Sequence, residues 1–225
     1  MKEILAQVTK IDAYKAYIQN INFPCVAARA ALKNEHIHCL EVGHMACPHD
    51  DSNILKFIYN FIDIYRNLTE PFHSAAVIFD APQTMTEQLF DQLLWQRLQA
   101  LSNLDAAQYK YDSRVDADPQ SPNFSFSLKQ EAFFIIGLHP GSSRPTRQFS
   151  YPALVLNPHD QFESLRTLDR YSKMQSIIRK RDIAYSGSVN PMLEDFGTAS
   201  EVYQYSGKQY DHQWQCPLKL NHEKS

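Results

Sequence analysis

Phe124-Ser125-Phe126-Ser127-Leu128-Lys129-Gln130-Glu131-Ala132-Phe133-Phe134-Ile135-Ile136-Gly137-Leu138-His139-Pro140-Gly141-Ser142-Ser143-Arg144 decides how this chain reads. Phe124, Phe126 and Leu128 alternate with serine, the two-residue period of a half-buried strand. Residues 131–138 form a continuous apolar run, so they read as a second, buried strand. Lys129-Gln130 is the turn that pairs the two. The apolar strand then empties into a loop of His, Ser and Arg. A second polar cluster follows, Asn157-Pro158-His159-Asp160-Gln161-Phe162-Glu163-Ser164-Leu165-Arg166. Proteins of the α/β and α+β classes build sites this way, with the scaffold in a strand and polar groups at its carboxyl end.

Working outward, residues 3–20 read as an amphipathic helix with Ile4, Val8, Ile11 and the stem of Lys15 on one face. Pro24 suits the first position of a short helix through Ala27-Ala28-Arg29-Ala30-Ala31. Residues 36–42 are a strand. Asp50 or Asp51 caps a helix carrying Ile54, Phe57, Ile58, Phe61, Ile62 and Tyr65. Ala75-Ala76-Val77-Ile78-Phe79 is a strand that Pro82 ends, and Thr86 opens a helix through Leu98. Residues 105–123 read as a long, mobile polar loop. Residues 153–156 are a short strand, a helix runs from Pro158 to about Lys180, and the rest is irregular. The expected fold is α+β, a mixed sheet flanked by helices in a single domain over 1–225.

Composition excludes several classes. The formal charge of −3 points away from a nucleic-acid partner. The apolar runs are strand-length, too short to span a bilayer. Met1-Lys2-Glu3-Ile4-Leu5-Ala6-Gln7 lacks the features of a signal peptide, so a cytoplasmic location is expected. Cys25, Cys39, Cys47 and Cys216 then read as reduced thiols.

His36, His38, Cys39, His44, Cys47 and His49 crowd together, but without the paired spacing of a zinc site. Ser142 and Ser143 lack a G-x-S-x-G elbow, and no glycine-rich nucleotide loop is present. His139 leaves a buried strand just before Pro140. His159 lies at a helix start, where the dipole favours a neutral imidazole. With Arg144, Arg147 and Arg166 as partners for propionates, these two histidines permit an iron porphyrin. Cys25 and Cys216 are rival thiolate ligands, although a free cysteine is more often a small buried hydrophobe.

Phe23-Pro24-Cys25, the Gly137–Arg144 block, the Asn157–Arg166 block, Asn190-Pro191-Met192-Leu193-Glu194-Asp195-Phe196-Gly197, and Tyr205-Ser206-Gly207 followed by Trp214-Gln215-Cys216-Pro217 together resemble the YqcI/YcgG family. The resemblance implies a haem b-dependent enzyme that N-hydroxylates a guanidine- or amine-bearing small molecule, such as an arginine-like amino acid. Dioxygen or peroxide would be the oxidant and a reductase a further partner. A non-catalytic haem sensor or carrier is the alternative. His159 is the expected axial ligand, His139 the second choice, and the haem is held non-covalently because no C-x-x-C-H is present. Asp195 and Glu201 are the expected carboxylates for a guanidinium, with Glu194 a weaker one, and Ser142, Ser143, Arg144 and Arg166 are expected to bind cofactor or carboxylate. The chain departs from the family pattern at Pro145-Thr146-Arg147-Gln148 and at Val202-Tyr203-Gln204, where positive charge is lost. That departure points to a substrate other than free arginine.

Overall fold

The structure, a computed structural model, describes residues 8–167, 171–188, 192 and 196–222, with the backbone alone at 165–167 and 171. Five strands, β1 (Ile37–His44), β2 (Ser74–Ala81), β3 (Phe126–Leu128), β4 (Glu131–Leu138) and β5 (Ala153–Pro158), form one sheet in the order β1-β2-β5-β4-β3. β1 and β2 run parallel, and the other neighbours are antiparallel. The parallel pair needs a crossover, which α3 (Asp51–Tyr65) supplies. The mixed sheet flanked by helices is the expected α+β architecture.

Period two assigns each strand residue to a face. Val77, Phe79, Phe133, Ile135, Leu154 and Leu156 pack against α3 and the long helix α4 (Glu87–Ala106). α3 buries Ile54, Leu55, Ile58, Phe61 and Ile62, an apolar stripe at helical spacing. α4 begins at the expected Thr86, whose hydroxyl accepts from the Leu89 N–H at 3.1 Å. On the other face Ala76, Ile78, Leu138 and Val155 meet α1 (Lys10–Gln19), with α2 (Val26–Lys33) beside it.

Several expected boundaries move. The first helix starts at Lys10 because Thr9 and Asp12 form a reciprocal capping box. Tyr14 and Ile18 are its buried residues, while Val8 is 72% exposed. Ile4 lies outside the described residues. Pro24 precedes α2 rather than opening it, because the Cys25 sulfur caps the helix by accepting from the Ala28 N–H at 3.4 Å. Asp50 takes the cap position of α3 but turns its carboxylate to the Gly43 N–H, and Asp51 pairs with Arg97. The long helix expected after Pro158 is two, α5 (Asp160–Thr167) and α6 (Tyr171–Ser186), and residues 168–170 lie outside the described residues. A short α7 (Val202–Tyr205) sits in the stretch read as irregular.

The expected hairpin turn is present, with Lys129 and Gln130 at φ +50° and +56°. Both are non-glycine residues in the left-handed region, which costs about 1–2 kcal/mol each. Neighbouring helices hold them there. Lys129 N–H donates to Asp105, its ammonium to Asp63, and Arg66 donates to both turn carbonyls. The stretch expected to be a mobile loop is packed down. α4 takes its start, and Tyr111 and Asp112 are buried, the hydroxyl of Tyr111 donating to the Ser125 carbonyl at 2.6 Å.

Candidate functional site

The loop after β4 is shaped by close approach to α4. A Cβ on Gly137 would lie 2.6 Å from the Phe90 ring, and one on Gly141 only 1.9 Å from the Met85 carbonyl oxygen. His139, on the Gly137 face of the strand, stacks on Phe90 with ring centroids 4.2 Å apart. It is fully buried, neither ring nitrogen has a hydrogen-bond partner among the described residues, and burial pushes its pKa down to about 4. A neutral imidazole is therefore packed between sheet and α4.

The polar side chains of the loop bind the surrounding frame. Ser143 donates through N–H and Oγ to Glu87, in the first turn of α4, at 2.9 and 2.7 Å. Buried Ser142 accepts from the Arg144 N–H at 3.2 Å. Arg147 donates to the carbonyls of Gly137, Gln204 and Tyr205, fastening α7 to the strand end. Arg144 donates through Nη2 to Asp182 of α6 at 2.7 Å and to the Ser188 carbonyl at 3.2 Å.

Leu138, Ile136 and Phe134 face the other way, towards a cavity of about 260 Å³ between the sheet and helices α1, α2 and α6. That volume lies below the roughly 300–1,000 Å³ usual for small-molecule sites. Its walls are mostly apolar and aromatic. Cys25 lines it at the amino end of α2, and Arg144, Arg147 and Asp182 gather at one end. A second, polar cavity of about 220 Å³ is bounded by Ser143, Arg144, Ser186, Ser188 and Gln209. Arg144 lines both the apolar cavity and the polar one.

The expected site residues divide accordingly. Arg144 and Ser143 border the polar cavity. Of the four residues weighed as iron ligands, Cys25 lines the apolar cavity, and His139, His159 and Cys216 do not. His159 donates its N–H to the Ala132 carbonyl at 2.8 Å and packs its ring 4.3 Å from Phe196, with Glu163 at 3.3 Å. Cys216 packs on the opposite core, where burial pushes its thiol up to about 12. Burial raises the Cys25 thiol too, while the N–H groups of Ala28 and Ala27 pull it back. Glu201 is 4% exposed and accepts from Ser125 and from the Tyr205 hydroxyl, away from either cavity. Asp195, Glu194 and the Arg166 side chain lie outside the described residues.

Asp182 escaped the sequence reading. Met174, Ile178 and Asp182 all line the cavity at four-residue spacing on α6. A carboxylate on an otherwise apolar stripe was the available signal.

A family model described as the YqcI/YcgG family matches residues 14–219. YcgG, an uncharacterized protein of Bacillus subtilis (strain 168), is 25% identical over 202 residues, which cover 87% of this chain and 76% of that protein. No solved structure matches the chain. The family match takes in the sheet, the loop after β4 and the residues around both cavities, and the chain belongs to the YqcI/YcgG family.

Proposed function

We propose that the chain binds haem b in the apolar cavity with the Cys25 sulfur on iron. It then N-oxygenates a small amine- or guanidine-bearing molecule held against Arg144 in the polar cavity. The observation that carries this reading is the position of Cys25, a thiol at a helix amino end in the wall of an apolar chamber with guanidinium groups at one end. That donor set suits a thiolate-bound haem, which asks for one sulfur, apolar walls and cations for propionates.

Haem would supply the oxidising chemistry with dioxygen or peroxide. The chain's own residues do the rest. Cys25 would hold the iron through its sulfur; burial raises its pKa, and the Ala28 and Ala27 N–H groups, which oppose that rise, would steady the thiolate. Phe134, Ile136, Leu138 and Val155 exclude water from the reacting end. Arg144 meets no acceptor through Nε or Nη1 among the described residues, so it can take a carboxylate from haem or substrate. Asp182 can share its charge with the cationic group of a substrate, the role expected of Asp195.

The test is a product assay. Protein expressed with ample haem is given reductant and oxygen, or peroxide, with a panel of amino acids, simple amines and guanidines. The expected result is a product heavier by one oxygen on nitrogen, identified by mass spectrometry. Haem-loaded protein that oxygenates none of the panel would count against the enzymatic reading.

A further inference from the structure

A row of aromatic rings, oxidisable from Tyr205 outward, runs from the apolar cavity to the surface. Phe134 lines the cavity, and the fully buried Tyr205 meets it edge-on with centroids 6.0 Å apart. Trp95 lies 6.0 Å from Tyr205, and Trp214 lies 5.7 Å from Trp95. Tyr210 stacks on Trp214 at 3.8 Å and 19°. Trp95 and Tyr210 are 5% and 7% exposed, whereas Trp214 is only half-buried and so reaches solvent.

Aromatic packing alone gives stacked and edge-on pairs of this kind. What packing does not ask for is a buried carboxylate on each buried phenol, since burying such a charge is costly. Tyr205 donates its hydroxyl to Glu201, and Tyr210 donates its own to Asp91. Asp91 also accepts from the Trp95 indole N–H at 2.9 Å, and the Lys208 ammonium lies 3.5 Å from its other oxygen. Asp91 and Glu201 are 7% and 4% exposed. A phenol loses an electron readily only if its proton has somewhere to go, and each has a carboxylate already in contact.

We propose that Tyr205, Trp95 and Trp214, with Tyr210 stacked on the last, form a relay that passes single electrons between the surface and the cavity. The inference rests on the haem reading for its oxidant, a haem iron oxidised by peroxide. Tyr205 loses one electron to that oxidant, and its hydroxyl proton moves to Glu201, leaving a neutral tyrosyl radical and a protonated carboxyl. An electron from Trp95 and the proton from Glu201 restore Tyr205, while Trp95 gives its indole proton to Asp91. Trp214 then refills Trp95, which takes its proton back, and Trp214 releases a proton to solvent. The net change is one electron and one proton lost at Trp214, and one electron gained by the oxidant. Burial raises the pKa of both phenols, so proton and electron leave them together.

The relay can be tested without haem. Azide radical made by pulse radiolysis takes one electron from an accessible indole, here Trp214, and the optical spectrum then follows the radical. The expected course is a first-order decay of the indolyl signal into a tyrosyl signal, at a rate independent of protein concentration. In a Tyr203→Phe background, needed because the Tyr203 ring also lies 5.2 Å from Trp214, Tyr210→Phe should leave a tyrosyl rise from Tyr205, Tyr205→Phe should leave one from Tyr210, and the double variant should show none. Trp214→Phe, at a half-buried position, should remove the initial indolyl signal while the fold persists. A tyrosyl rise unchanged in the double variant, or none in Tyr210→Phe, would overturn the relay. Because haem is absent, these outcomes are separate from haem binding. A colourless protein with an intact relay would instead defeat the haem reading.

Discussion

The Arg144 guanidinium donates to the Asp182 carboxylate at 2.7 Å where the apolar and polar cavities meet. The pair joins the loop after β4 to α6, and both side chains are about nine-tenths buried. Removing one partner strands the other charge. Arg144→Leu should therefore destabilise the fold by roughly 3–5 kcal/mol, and Arg144→Leu with Asp182→Leu should recover much of that loss. Urea denaturation of the two single variants and the double checks it. A cost below about 1 kcal/mol for the single change would mean that solvent already screens the pair.

His139 gives stability a pH dependence with a definite sign. Its folded-state pKa is about 4, below the ordinary 6.5, so between those values the unfolded chain binds more protons. The contribution is complete above pH 6.5 and is lost as pH falls towards 4, with a ceiling of about 3 kcal/mol. His38 and His73 are lowered by burial and act in the same direction. His139→Leu should flatten part of the fall in denaturation midpoint over that interval. An unchanged slope would show that His139 titrates normally.

Two glycines in the same loop should respond differently to alanine. At Gly137 the added methyl meets side-chain atoms of Phe90 and Leu94, which can shift, whereas at Gly141 it meets the Met85 backbone. Gly137→Ala should cost about 1–3 kcal/mol, and Gly141→Ala more, with loss of folded protein. Circular dichroism melting curves compare them. Equal, small effects would mean that the loop adjusts freely.

Much of this frame was legible in the sequence, and the reasons are local. The 131–138 strand, its hairpin partner and the α4 cap at Thr86 follow from period and turn chemistry alone. The α1 start was not, because an apolar pattern through Val8 competed with the Thr9–Asp12 capping box, and the box sets the boundary. For the site, the 137–144 block pointed to the right loop but not to which side chains face the cavity. Period two places Leu138 towards the cavity and His139 towards α4. Until the helices are assigned to faces, either side of the strand can be the open one. Asp182 lies thirty-eight residues beyond Arg144 in sequence, so their pairing is purely tertiary.

The hairpin turn offers a gain. Gln130 sits at φ +56° with an exposed side chain, so Gln130→Gly should remove left-handed strain and stabilise by about 1 kcal/mol. Lys129→Gly should gain less, because it also discards the ion pair with Asp63. Denaturation midpoints decide between them. A destabilised Gln130→Gly would mean that the added freedom of the unfolded chain outweighs the relieved strain.

The most direct test of the account is the optical spectrum of the reduced, carbon monoxide-bound protein after expression with ample haem. The unaltered chain should show the red-shifted Soret band of a thiolate-bound haem. Cys25→Ala should lose that band, while His139→Leu and His159→Ala keep it. A Cys25→Ala spectrum identical to that of the unaltered chain, with the band lost instead in His159→Ala, would contradict it.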